Sequence, residues 1–458
     1  MDPKHISEIR SLLADPARAI VNPQVVEQLS KDFYWYSPVL RKQLDGKIGE
    51  AVVQPQSAEE VQRVLRYCHA NSIPMTARGA GTGNYGQAVP LEGGVVLDLS
   101  RMDRIEQIQP DGVAVCQPGV RLGDLENEAR KSGWELRCYP STIIKASVGG
   151  FVSGGSGGIG TVAHGGLRDF QTVRALEVVT MEPEPRIVLH EGEAVHEILH
   201  AWGTNGIITR IWLALTPAVE WSQCIAAFDT FPAAFDFAEK IATGAEWIKR
   251  LVTVFEWPIP SFFTPIRQHA PQDKTLIFFM IASSQLGQLG TEVKVAGGVV
   301  THSGIYPGLN ARPLLSDYTW NHTTLWAMRS DEAYTYLQCG FNPDTVRDQM
   351  RQLRERFGQE ILFHMEFMKN GEGRVVPGAI PVVLFKTEER LNDMIDFCRK
   401  IGVFVANPHV NNVEGGGRYR ADNAQLLAKL RYDPKGLLNP GKMVSFHSES
   451  ATAGANTK

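Results

Sequence analysis

The sequence predicts an α+β protein of two domains, and three observations carry that reading. The chain has 458 residues, more than a single hydrophobic core serves when domains run to roughly 100–200 residues. Its first half holds a strand–helix–strand unit with glycine-dense loops at residues 78–90 and 149–168. From about residue 218 the pattern changes to apolar strands alternating with helices, as expected of one sheet covered by helices on one face.

In chain order, residues 5–14 and 24–30 read as short helices. GEAVVQP reads as a strand. In PQSAEEVQRVLRYCHANS, Ser57 takes the N-cap position and Glu60 follows three residues on, a capping box that opens an amphipathic helix. IPMTARG is a strand running into the first glycine loop, GGVVLDLSR a buried strand, and VAVCQPGVRLGDLENEARKSG a strand, a turn and a helix. Residues 140–170 are small, glycine-rich and show neither helical nor strand periodicity; a loop of that length inside a compact domain is usually functional. TVRALEVVT and IITRIWLALTP close this part as strands, with Pro217 as the boundary. Beyond it, SQCIAAFDTF, KTLIFFMIAS, ILFHMEFM and IPVVLF read as strands. PAAFDFAEKIATG, SQLGQLGTEVKVAGG and TEERLNDMIDFCRKIG read as helices. The polar tail 447–458 is expected to be disordered.

Composition narrows the function classes. The net charge is −4, without a long basic run, which excludes a broad nucleic-acid surface. The six cysteines contain no CxxC pair and read as buried thiols. The N-terminus is too charged for a secretory signal, and no stretch of apolar residues is long enough to span a membrane. A cytoplasmic location is the resulting expectation, and a homodimer stays open.

The first glycine loop, Arg78-Gly79-Ala80-Gly81-Thr82-Gly83-Asn84-Tyr85-Gly86-Gln87, matches G-x-G-x-x-G at Gly81, Gly83 and Gly86. A nicotinamide-type dinucleotide site requires a helix to open at that loop. Here the chain proceeds to Pro90 and a strand. Successive main-chain N–H groups in a turn can instead form a nest for a diphosphate, and bare glycines let it close. The second loop repeats the pattern at Gly155, Gly157 and Gly160, also without a following helix in this reading. Tight turns with no ligand remain the bland alternative.

These segments resemble a known family. RGAGTGNYGQAVP, preceded by PQSAEEVQRVLRYCHANSIP, is similar to the pyrophosphate loop of the p-cresol methylhydroxylase (PCMH) and vanillyl-alcohol oxidase flavoprotein superfamily. PSTIIKASVGGFVSGGSGGIGTVAHGGLRDFQTVRALEVVT resembles its second flavin segment, and WGTNGIITRIWLALTP the strand completing the flavin domain. YDPKGLLNPGKM resembles the C-terminal signature of the glycolate oxidase and D-lactate dehydrogenase branch. The resemblance implies a two-subdomain PCMH-type FAD-binding domain over 1–217, a cap domain over 218–405, and a segment, 406–446, returning to the FAD domain. It implies that Gly79, Gly81, Thr82, Gly83 and Asn84 contact the FAD pyrophosphate and that Arg78, Ala80, Gly86 and Gln87 also bind the cofactor. It further implies that Pro140, Ser141, Ser147, Gly149 and Gly150 line the flavin, and that Gly155, Gly160, Ile207 and Ile208 hold the adenine and ribityl portions. His164 would touch the cofactor, and Asn439 and Lys442 would close the site. Some relatives attach flavin through a histidine in the first loop; Thr82 stands there, so FAD is expected to be non-covalent. The HxGDGNxH and GEHG runs of metal-dependent members are absent, and no metal is expected.

Hydride transfer to flavin needs a C–H bond beside the ring and removal of a proton from the attached group. His322, His364 and His409 are the candidate bases, and each has a structural alternative. His364 and Glu366 share one strand face through the period of two. With His409 they also leave a metal reading open. Tyr318, Trp320, Tyr334, Tyr336 and Arg418 are possible substrate contacts. The expected activity is oxidation of a small alcohol, hydroxy-acid or phenolic substrate, with electrons passing to oxygen or a separate acceptor. An NAD(P)-linked dehydrogenase and a non-catalytic flavin-binding component of a larger complex are the rival readings.

Overall fold

The computed structural model describes residues 1–155, 157–311, 313–415 and 423–446. Among these, helices and strands are mixed as expected, with two sheets in the first half of the chain and two in the second.

The first sheet has four strands in the order Ala19–Ile20, Ala51–Val53, Val95–Asp98, Met75–Arg78; the last three run parallel. A parallel sheet must be covered on its faces, and Ala51–Val53 and Val95–Asp98 are correspondingly buried throughout. The helix Ala58–Ala70 packs Val61, Val64, Leu65 and Cys68 into their core. Ser57 caps its N-terminus through Glu60 N. The capping box is only half formed: the Glu60 carboxylate turns to Arg18 and to the amides of Ala14 and Gln56. The buried Arg18 guanidinium holds that carboxyl down at about 2.

The second sheet is antiparallel, built on the long strand Ile207–Pro217 between Val113–Cys116 and Val173–Val179. Between Trp134–Leu136 and Val173–Val179 lies the segment expected to lack helical order. It contains two short helices, Val148–Gly154 and Thr161–His164, the second directly after Gly160. Their apolar faces are too short and too glycine-rich to register as a period. Ser147 supplies the local start signal, accepting a hydrogen bond from Gly150 N at 3.2 Å.

The second half centres on an eight-stranded sheet, Val299–Ile305, Trp221–Phe228, Thr275–Ala282, Lys249–Phe255, His364–Lys369, Val375–Ala379, Gln338–Gly340 and Phe404–Ala406 in order. Four helices, Phe231–Thr243, Leu286–Val295, Val346–Phe357 and Glu388–Lys400, bury their apolar residues against one face. The other face meets the first half of the chain, where Trp221, Leu251 and Met280 join the core of the second sheet. The C-terminal stretch returns to the first sheet: Met75 N donates to Leu437 O, and Asn439 N donates to Met75 O. Residues 447–458, expected as a disordered tail, lie outside the described residues, as does Arg418.

Candidate active site

A cavity of about 440 Å³ lies between the two glycine loops and the exposed face of the eight-stranded sheet. Strand Met75–Arg78 delivers the first loop to it, and no helix intervenes before Val95–Asp98. The arrangement that a nicotinamide-type site needs is therefore missing at the first loop; at the second, contrary to the sequence expectation, a helix does follow Gly160, but it is the four-residue turn Thr161–His164. The loops meet backbone to backbone: a Cβ on Gly79 would lie 2.4 Å from Ser147 Oγ and 3.1 Å from the Gly150 Cα. Gln87 ties them together, accepting from Tyr85 N at 3.3 Å and donating to Gly154 O at 3.1 Å. Asn439 buttresses the first loop from the C-terminal stretch, its Nδ2 donating to Gln87 O at 2.8 Å and Trp202 O at 2.7 Å.

The cap closes the cavity with Trp320, Asn321, Gln338, Glu366, Met368 and Ile380 among others. Tyr85 bridges the two halves, stacking on Trp202 at 5.9 Å and donating its hydroxyl to Gln338. His200, Trp202 and Trp320, all on the wall, have φ of +57°, +55° and +52°. Such non-glycine conformations cost about 1–3 kcal/mol each and collect at functional sites.

The charges on this cavity are buried. Asp32 lines the wall, and loss of water pushes its carboxyl up to about 6, opposed by the Ala88 amide, Lys442, the Tyr34 amide and Arg78. Burial lowers Lys442 to about 8 despite Asp32. Burial also lowers Arg78, whose Nη1 donates to Lys31 O.

Of the residues assigned to a cofactor from sequence, Arg78 through Asn84, Gln87, Pro140, Ser141, Gly149, Gly150, Gly155, Ile207 and Ile208 line the cavity. Ser147, Gly86, Gly160, Asn439 and Lys442 do not line it. Ser147 caps the second loop's helix, and Lys442 Nζ lies 3.7 Å from where a Gly86 Cβ would sit. His164 faces a separate cleft with Lys249 and Lys369, where burial and nearby Arg137 lower it to about 4.

The three candidate bases are not on the wall. His409 is buried between Ser37 Oγ at 2.7 Å and Tyr336 O at 2.9 Å, and burial lowers it to about 4, so it is a neutral cross-brace. His364 lies one layer back, stacked on Phe255 and 2.9 Å from Glu366 Oε1. His322 follows the wall residue Asn321 on helix Asn321–Ser330 without lining the cavity. Among the possible substrate contacts, Trp320 lines the cavity. Tyr318 is buried in the cap core with Phe263 and Phe278, Tyr334 packs against Phe262, and Tyr336 backs the wall residue Ile380 without lining the cavity. Among the described residues, no group of three or more His, Cys, Asp or Glu is placed to hold a metal.

Sequence reasoning missed Asp32, His200, Trp202, Gln338 and the wall position of Glu366. Asp32 precedes the first sheet's parallel strands, and only the fold brings it under the loop. The cap residues alternate along strands, so Glu366 and Met368 had a legible common face.

An anionic dinucleotide fits this lining. Buried polar atoms of the wall residues Trp202, Trp320 and Asn321 lack hydrogen-bond partners among the described residues, and bare main chain forms the cradle. Unsatisfied buried groups of this kind are expected to meet a ligand. Residues 49–185 match the family model described as FAD binding domain. That stretch of the chain is thus similar to an FAD binding domain. The FAD domain's relatives include a D-lactate dehydrogenase of Archaeoglobus fulgidus, 30% identical, with 45% of this chain and 54% of that one aligned. Another, from Anaerostipes hadrus, is 32% identical over 49% of this chain and 50% of its own. The chain thus spans about half the length of these relatives. The mitochondrial D-2-hydroxyglutarate dehydrogenase of Bos taurus is 22% identical over 94% of this chain and 82% of that one. A solved alkyldihydroxyacetonephosphate synthase aligns with a TM-score of 0.73 at 16% identity, covering 96% of this chain and 85% of that one, and shares the fold. No helix among the described residues is long and apolar enough to cross a membrane.

Proposed function

We propose that the protein is an FAD-linked oxidoreductase that oxidises the CH–OH group of a small hydroxy acid or related alcohol. The observation that carries this reading is one cavity whose floor is glycine main chain from the FAD domain and whose lid is cap side chains. Bound FAD supplies the two-electron acceptor. The relatives' names favour 2-hydroxy acids, and the electrons leave to oxygen or to a separate acceptor.

In this reading residues 1–217 and 406–446 form the FAD domain and 218–405 the cap. The amides of residues 79–84 cradle the diphosphate, with Lys442 beneath them supplying positive charge. Ile207 and Ile208 face the adenine end, and Pro140, Ser141, Gly149 and Gly150 the flavin. Trp320, Met368 and Ile380 give the substrate end an apolar wall that excludes water. FAD is held without a covalent bond. Thr82 offers no attachment atom, and Cys339 on the wall is kept as a thiol, its pKa pushed well up by its contact with Cys398 and by burial. The test is anaerobic mixing of the yellow protein with D-lactate, glycolate or D-2-hydroxyglutarate. Bleaching of the visible flavin band by at least one is expected; an oxidised spectrum with all three contradicts the reading.

A further inference from the structure

We propose that Glu366 accepts the substrate's hydroxyl proton and that His364 is the positioning residue that keeps it ionised. This rests on the oxidoreductase reading above. On strand His364–Lys369 the side chains of His364, Glu366 and Met368 share one face. Glu366 and Met368 reach the cavity, and His364 sits behind them.

The hydrogen bonds place one shared proton between His364 and Glu366, and the further donors to the carboxylate favour its ionised form. His364 Nδ1 faces Ile380 O at 3.1 Å, and a carbonyl only accepts, so Nδ1 carries a proton. Nε2 faces Glu366 Oε1 at 2.9 Å. A neutral ring in that tautomer would set a lone pair against a carboxylate. The geometry is satisfied by an imidazolium donating to both oxygens and by an ionised Glu366. Two further donors reach the same carboxylate: Trp320 N at 2.9 Å to Oε1, and Thr253 Oγ1 at 2.5 Å to Oε2. Of its roughly four lone-pair positions, three are filled by these donors, and because Glu366 lines the cavity the fourth is the position this proposal assigns to the substrate.

A lone carboxylate in this wall would be costly, because Trp320, Met368 and Ile380 surround it and a buried charge needs a partner. The imidazolium is that partner, clamped against Phe255 at a ring distance of 5.0 Å. Trp320 provides an independent sign that the carboxylate is held for a purpose. Its backbone sits at φ +52° and ψ −138°, nearly confined to glycine, and that conformation aims its N–H at Glu366. In the step itself the substrate O–H bond breaks and its proton moves to the open oxygen of Glu366. The carbon–oxygen double bond forms as the neighbouring C–H bond breaks, and that hydrogen leaves with both electrons to the acceptor named in the proposed function.

The experiment compares the wild type with Glu366→Gln, Glu366→Asp and His364→Gln, each purified with FAD. In Glu366→Gln, FAD content and visible spectrum should match the wild type. Anaerobic reduction by whichever of D-lactate, glycolate and D-2-hydroxyglutarate reduces the wild type should slow about 10²–10⁴-fold, with substrate affinity from spectral titration nearly unchanged. Glu366→Asp should recover part of the rate, and His364→Gln should lower kcat far more than it changes KM. Independently of turnover, nitrogen NMR of histidine-labelled protein at neutral pH should show both ring nitrogens of His364 protonated in the wild type and only one in Glu366→Gln. A wild-type reduction rate in Glu366→Gln, or a singly protonated His364 in the wild type, overturns the proposal. If none of the three acids reduces the wild type, the oxidoreductase reading fails, and the NMR result alone still decides the charge state of the pair.

Discussion

Gly81 has φ +66°, and a Cβ there would lie 2.0 Å from Arg78 Nη2. A β-branched side chain at this point would be strained in the backbone and would occupy the surface offered to the diphosphate. Gly81→Val is therefore expected to fold but to purify without FAD. Full flavin occupancy, measured as the ratio of visible to protein absorbance, would contradict the placement of the loop. Lys442 gives the pH test. Its folded-state value, about 8, lies below the ordinary 10.5. The unfolded chain thus binds more protons between those values, and stability of the FAD-free protein should rise with pH across that window and be flat there for this group below it. The gain is on the order of 1–3 kcal/mol. Lys442→Met should abolish it; parallel melting-temperature profiles for the two proteins would contradict the assignment. At this scale the glycine loops were legible because only a few residue types tolerate such backbone. Which histidines reach the wall was not legible, because His409 and His364 differ from wall residues only in what the fold stacks around them.

Arg250 shows how elements hold the two halves in register. It lies on the cap strand Lys249–Phe255, yet its guanidinium reaches Glu126 at 3.1 Å, Leu136 O at 2.9 Å and the face of the Tyr139 ring at 4.7 Å. Its own carbonyl accepts from Gly160 N at 2.8 Å, fixing the second glycine segment. Burial raises Glu135, also within 3.5 Å of Arg250, against the pull of the guanidinium. Removing this cation leaves the buried Glu126 and Glu135 with Arg130 as their remaining cation, so Arg250→Met should cost about 2–4 kcal/mol in a denaturation experiment; a change under about 1 kcal/mol would show the network to be dispensable. Long, strongly periodic elements such as Ala58–Ala70 and Glu388–Lys400 were readable in advance. The edge strand Val299–Ile305 was not: it is largely exposed, with Val299 and Ile305 facing solvent, so it has no apolar face to announce it. Strand Lys249–Phe255 was also unread. It is buried throughout and carries two basic residues, which conceal a strand pattern.

At the scale of the whole molecule, the C-terminal stretch returns to the first sheet and Asn439 braces Gln87 and Trp202, so segments hundreds of residues apart share one cavity. The two halves were visible in the change of pattern near Pro217. The closing surface was not, because it depends on which cap strand lies over which loop. On the proposed function, this cavity holds FAD without a covalent bond. The most direct test is to denature the purified yellow protein, separate the chain by filtration, and identify what passes through by mass spectrometry. Intact FAD in the filtrate, close to one per chain, with a colourless polypeptide retained, is the predicted result. A chromophore retained on the chain, or protein purified gently with no flavin and no uptake of added FAD, would contradict it.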